Sequence, residues 1–394
     1  MKLDSQTYRL IDSGRLGSVA LVIGLLGLAA SAAGYFVDSR QFFHSYLVAF
    51  TFWLSIGLGG LFFTMLHHLV SAEWSTVLRR WSESAMATLP IMSIFIIPIL
   101  LGMHDMYHWS HADVVANDDI LQGKAGYLNP GFFVIRSVVY FVIWIILAKT
   151  LHRTSLKQDA DHSAALSMKF KKISAPGMIL FAVTISFAAF DWLMSLDAHW
   201  YSTIFGVYIF TGGFLAFLSF MTLTGLYQRR QSILREQVTL EHYHDLGKLL
   251  FAFLIFWAYM AFSQYFLIWY ANIPEETVWF YHRWYSDWRP ITLVIIFGHF
   301  VIPFIALITR AAKRNLVVLG FAAAWLLLMR WVDLYWLIFP TLHKHGPQYS
   351  WMDLTTMIGI GGIFVWFFWN KYVSHPVVPV SDPTLETSIQ FQNM

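Results

Sequence analysis

Arg136, Asp191 and Asp105 are ionisable side chains placed inside, or at the ends of, long apolar runs. A charge at membrane depth costs several kcal/mol unless it is paired or wetted, so each such residue marks either a functional site or an ion pair. By depth along their runs they fall in with His44, His104, His108, Asp197, His199 and Tyr208 as one group near the side that the loop charges assign to the outside. Arg136 lies about two turns into its run, after Asn129-Pro130, and needs a carboxylate; Asp191 and Asp105 are at the right depth. Histidine, aspartate and arginine around an aromatic cavity can hydrogen-bond a quinone carbonyl and take the proton that a quinol loses. The alternative is an ion pair that only fixes helix packing.

A second group, on the inner side, comprises His67, His68, Glu73, Arg79, Arg80 and Glu83, with His242, His244 and Asp245 further on. These read as solvated helix ends, with Arg79 paired to Glu73 or Glu83 on a short interfacial helix; His67, His68 and Glu73 are the candidates for a proton entry. Between the groups lie His299, Thr184, Ser186, Ser263 and Gln264, enough for two half-channels at most. Arg330 and Asp333 are three residues apart and can neutralise each other on one helix face.

Metal chemistry is harder to place. The chain has no cysteine, which excludes disulfides, thiolate zinc, iron–sulfur clusters and c-type haem. It has 16 histidines, but a bis-histidine haem needs two imidazoles at one depth, and His67, His104 and His299 lie at three different depths. The expectation is no covalent cofactor and no metal held by its side chains, with lipids and a quinone of the menaquinone or ubiquinone type as the small molecules. No nucleic acid is expected.

The elements that position these residues follow from composition. Of 394 residues 57% are hydrophobic and 12% charged, about half the charged share of a soluble domain. The apolar residues fall into ten runs long enough to span hydrocarbon: 16–37, 44–70, 84–106, 130–150, 174–195, 201–227, 246–271, 288–311, 316–340 and 350–372. Lysine and arginine collect in alternate loops, 19 on one side against 5 on the other, with Arg136 and Arg330 inside runs. By the positive-inside rule both termini are cytoplasmic. The expected fold is an all-α polytopic membrane protein with a cytoplasmic segment 1–15, a ten-helix domain 16–372 and an extended cytoplasmic tail 373–394 that could lie along a neighbouring subunit. The long outer loop 108–129 is acidic and the inner loop 152–172 basic. FAAFDWLMS near the end of the fifth run echoes LMRWVDLYW near the end of the ninth, which suggests two related four-helix bundles, spans two to five and six to nine, with Asp191 and Asp333 at matching positions.

Four blocks carry a resemblance: WSTVLRRWSESAMATLP with IIPILLGMHDMYHW, NPGFFVIRSVVYFVIW, FDWLMSLDAHWYSTIFGVYIFTGG, and GHFVIPFIALITRAAKRN leading to LMRWVDLYWLIFP. In these, and over nearly its whole length, the chain resembles the F-type membrane subunit of bacterial alternative complex III, in the NrfD/PsrC-like superfamily. The resemblance implies an integral subunit of the bacterial cytoplasmic (inner) membrane within a quinol-oxidising respiratory complex, with no redox centre of its own. It implies a paralogous NrfD-like C subunit beside it, iron–sulfur and c-type haem subunits, and a periplasmic cytochrome c or a terminal oxidase as acceptor. His104, Asp105, Arg136, Asp191, Asp197 and His199 best match a polar path proposed there for protons. A secondary transporter or a proton-conducting protein acting alone is the competing expectation; it needs helices unwound near the midplane, and the polar residues here crowd toward helix ends instead.

Overall fold

A computed structural model of the chain describes residues 1–4, 6–161 and 166–393; part of the basic loop, 162–165, lies outside the described residues. Ten helices are long and apolar enough to cross a membrane: Leu16–Tyr35, Ser39–Val70, Glu73–Leu101, Pro130–Asp161, Leu166–Asp197, Phe205–Arg230, Leu240–Ala271, Arg289–Leu307, Leu316–Thr341 and Trp351–Val373. Among the described residues the only strand pairing joins Lys2–Leu3 to Leu10–Asp12. The protein is therefore an all-α polytopic membrane protein, with the ten spans that hydropathy predicts.

Polar residues cap several of the helix starts. Asp38 accepts from the Gln41 N–H before span two, Asn315 accepts from the Val317 and Val318 N–H groups before span nine, and Ser350 with Asp353 forms a capping box before span ten. Spans two and seven end on left-handed residues, Ser71 (φ 53°) and Asn272 (φ 50°). Spans four and five overrun their expected ends. The helix of span four, 32 residues, is about 48 Å long and that of span five, Leu166–Trp192, about 40 Å, against a hydrocarbon core of about 30 Å, so both project beyond the bilayer.

Span two is the axis of the fold, with 89% of its apolar stretch buried. It packs against spans three, five, six, nine and ten, so that spans two to five form one bundle and six to nine the other. Spans one and ten form a separate pair beside it, joined through small residues. A Cβ added at Gly362 would sit 2.4 Å from the Gly24 Cα, and one at Gly27 would sit 2.6 Å from the Gly359 nitrogen. In lipid such backbone approach supplies the packing that hydrophobic exclusion cannot.

Spans three and eight are interrupted within their length. Span three is built of short segments, Glu73–Leu78, Arg79–Met86, Leu89–Phe95 and Ile97–Leu101, with Pro90 and Pro98 in the first turns of the last two. Span eight passes through a π-helical turn at Ile295–Val301 just before Pro303, and the Trp325 indole donates to the Gly298 carbonyl within it (2.7 Å).

The tail also departs from expectation. Instead of running extended toward a neighbour, it folds back across the face that carries both termini. The Val377 N–H donates to the Tyr8 carbonyl, the short helix Leu385–Ile389 lies on Glu73–Leu78, and the Ser388 hydroxyl accepts from the Val77 N–H while donating to the Trp74 carbonyl. His242 at the start of span seven pairs with the Ser388 carbonyl, and Lys248 donates to Asn393. One strap thus ties the two bundles together.

Candidate functional site

The first bundle holds a closed cluster. Arg136 grips Asp191 with two parallel bonds, Nε to Oδ2 at 2.8 Å and Nη2 to Oδ1 at 2.9 Å, and gives its third nitrogen to the Tyr127 carbonyl (2.8 Å). The Tyr140 hydroxyl donates to the same carboxylate at 2.6 Å. Arg136 and Tyr140 are four residues apart, so one helix face delivers both to span five. The guanidinium lies 3.8 Å from the Tyr127 ring centre and 4.3 Å from that of Phe132. Asp191 is fully buried with both oxygens taken. Of the two carboxylates that could partner Arg136, the structure selects Asp191.

The second bundle holds a cluster of the same chemistry. Arg330 Nη1 donates to Asp333 Oδ2 at 2.7 Å, and the Tyr208 hydroxyl makes a short bond to Asp333 Oδ1. Gly212 leaves the room that the guanidinium occupies, since a Cβ there would come within 2.4 Å of Arg330 Nη1 and displace it. Asp191 and Asp333 each stand near the end of the fourth helix of their bundle, as the sequence echo suggests, but the arginine comes from a different helix in one case and from the same helix in the other.

Beside the second cluster His299, in the π-helical turn, is fully buried and stacked on Trp257 with centroids 3.8 Å apart. Neither ring nitrogen has a hydrogen-bond partner among the described residues. Neutral imidazole carries one donor and one acceptor, so this position retains unspent polarity at membrane depth. Trp257 and Tyr208 also line a cavity of about 410 Å³ walled by Phe262, Ile296, Phe300 and Trp336, with Gln264 and Thr292 as its polar points. Phe262 and Ile296 are exposed, so the cavity opens sideways from the helices. Tyr208 is the link between them, facing the cavity and donating to Asp333.

The remaining residues of the expected outer group do not join these clusters. His104 is exposed and pairs with Ser110 (3.0 Å); Asp105 accepts from Ser39 (3.1 Å). His199, exposed, pairs with Asp118 (2.6 Å), and Asp197 is half-buried in the same loop region. The Leu121 N–H and His199 hold the Asp118 carboxyl below its usual range. His44 pairs with the Arg40 carbonyl. Spacing gave their depth but not their direction, and depth alone gathered residues that point elsewhere.

The termini face corrects a further expectation. Arg79, Arg80 and Glu83 are not solvated ends; all three are at most 3% exposed. Glu83 pairs with Arg79 (3.0 Å) and Arg80 (2.5 Å), Arg80 also reaches Asp159, and Arg79 reaches Asp382 of the tail. Burial pushes Asp382 up, but Arg79 beside it brings it below the usual carboxylate range. His67 pairs with Ser75 (2.8 Å) and His68 stacks on Phe170 (4.0 Å), so both are buried. Glu73 makes no ion pair among the described residues. Also among the described residues, no three histidine or acidic side chains converge as a metal site.

Sequence reasoning missed Tyr140, whose spacing from Arg136 could have found it. It also missed Asp353, which accepts from Ser45 (2.6 Å), Gln41 (3.2 Å) and the Ser350 N–H (2.9 Å); the Ser-x-x-Asp capping pattern was the available signal. No protein-family model matches the chain, and no curated protein matches it in sequence.

Proposed function

We propose that this protein is an integral subunit of a quinol-oxidising respiratory complex in a bacterial cytoplasmic membrane, with both termini in the cytoplasm and no redox centre of its own. The observation that supports it is the sideways-opening aromatic cavity ending on Tyr208, with Asp333 and Arg330 behind. A cavity of this size accepts a quinol ring with the start of its isoprenoid chain entering from the bilayer, and Gln264 or Thr292 supplies hydrogen bonds. On oxidation the quinol hydroxyl gives its proton to the Tyr208 oxygen as the phenol proton passes to Asp333. The electrons leave to a redox centre on a partner subunit. His299, on span eight and stacked on Trp257 of the cavity wall, is the further proton acceptor.

The partners in this reading are a paralogous membrane subunit, iron–sulfur and c-type haem subunits, and a cytochrome c or terminal oxidase. The closed Arg136–Asp191 cluster takes the role of a packing lock rather than of the quinol site. Purifying the complex through a tag on this chain and measuring quinol-dependent cytochrome c reduction tests the reading. Tyr208→Phe and Asp333→Asn complexes should assemble and lose at least a hundredfold in turnover, the usual scale for losing a positioned proton acceptor. Full turnover in both removes the site, and a chain that purifies alone removes the complex.

One observation favours a second reading, a proton or solute carrier acting alone: span eight is unwound into a π-helix at midspan. Proton uptake by the isolated chain in liposomes, abolished by His299→Phe, would favour it over the first.

A further inference from the structure

We infer that the protein holds one anionic phospholipid in a basic groove between spans six and nine on the termini face. The groove is a cavity of about 570 Å³ lined by Arg229, Arg230 and Arg235 at one end and by apolar residues, among them Leu226, Val317 and Phe321, at the other. That is the division of a phospholipid, head from chains. Val317 and Phe321 are 80% and 65% exposed on the surface that the acyl chains would cover.

Ordinary explanations account for only part of this. Arg229 and Arg230 lie in the last turn of span six, where cations complement the helix dipole. Arg235 lies beyond the helix, so the dipole does not explain it. The loop that presents it is held in an unfavourable form: Ser232 and Leu234 have φ of 59° and 51°, in the left-handed region that costs non-glycine residues about 1–3 kcal/mol. Ile233 and Leu234 are buried (1% and 2% exposed) and fix the loop, while Arg229 Nη1 donates to the Arg235 carbonyl (3.1 Å) and the Val238 carbonyl (3.3 Å). No carboxylate lines the groove, and Arg229, Arg230 and Arg235 make no ion pair among the described residues; Glu236, next in the chain, is not part of the lining. Elsewhere on this face the buried arginines are matched to Glu83, Asp159 and Asp382. Here three cations face an apolar slot with no protein anion, and the loop charges place them at the cytoplasmic leaflet, where anionic lipids concentrate.

A phosphodiester between Arg230 and Arg235 satisfies both forks, and its chains run down the groove past Gly320. The site is independent of the quinol reading. Its test uses the purified full-length protein, stripped of lipid in detergent, with native mass spectrometry and thermal melting as readouts. Phosphatidylglycerol should bind as one retained molecule and raise the melting temperature; phosphatidylcholine and inorganic phosphate should not. Arg230→Gln with Arg235→Gln should weaken retention on the order of thirtyfold, from the attraction of each arginine at an anionic surface. The corresponding double lysine variant should restore most of it, which separates lost charge from lost fold. Gly320→Leu, which fills the slot against the flexible end of Leu226, should weaken it with the charge intact. Equal effects of phosphatidylcholine, full stabilisation by phosphate alone, or undiminished retention by the double glutamine variant would overturn the site.

Discussion

Asp191→Leu should be among the most damaging single changes in the membrane domain. Arg136 is 7% exposed and spends two of its three nitrogens on the Asp191 carboxylate. Without it the guanidinium keeps the Tyr127 carbonyl and the faces of two rings, but no counter-charge. The Tyr140 hydroxyl loses its acceptor as well. Breaking a buried pair from one side costs about 3–5 kcal/mol, because the surviving charge stays desolvated. Removing both charges with apolar residues of similar volume is close to neutral, so Asp191→Leu with Arg136→Met should recover to within about 1–2 kcal/mol of the parent. The assay is a double-mutant cycle on reversible unfolding in mixed micelles, where, with Arg136→Met breaking the pair from the other side at a similar cost, the coupling between the two sites should be at least about 4 kcal/mol. If the single change costs less than about 1 kcal/mol, or if the double costs the sum of the singles, the guanidinium finds water and the packing-lock reading is wrong.

Other outcomes follow from the same structure. Gly362→Leu should separate spans one and ten, seen as new protease or cross-linker access at span one with the two bundles intact, since its side chain would fall on the Gly24 backbone. His299→Phe should melt no lower than the parent, because it replaces two unpartnered ring nitrogens with an apolar ring in the same stack on Trp257; a large loss of stability would mean that His299 is hydrogen-bonded in the membrane. Asp382 is held below its usual range, so its contribution to tail docking is complete above the unfolded carboxylate value of about 3.9 and is lost as pH falls through the lower folded value. Hydrogen exchange of the segment Leu385–Ile389 should therefore rise below about pH 4, and Asp382→Asn should give fast exchange at neutral pH with no further rise on acidification.

What the sequence alone determined is what the bilayer imposes. A span must be apolar for some twenty residues and loops must carry the charge, so ten helices, and where along them each titratable group falls, were readable from single runs. Even a partner could be read where two residues share a helix face, as with Arg330 and Asp333. Tertiary structure decided what depends on direction around a helix axis and on chain far away in sequence. Asp191 rather than Asp105 answers Arg136 because span five turns its carboxylate inward, whereas Asp105, on the short helix Met103–Met106 beyond span three, accepts from Ser39. His104 and His199 share that depth and point outward. The pairing of Arg79 with Glu83 was readable from its spacing, but the burial of Arg79 and Arg80 was not, because their other partners, Asp382 and Asp159, lie 303 and 79 residues away. A tail without an apolar run looks free by composition, yet its fold-back rests on three scattered apolar residues, Val377, Val378 and Leu385, on the Arg79–Asp382 ion pair and on hydrogen bonds made by Thr384 and Ser388, none of which forms a run that hydropathy registers.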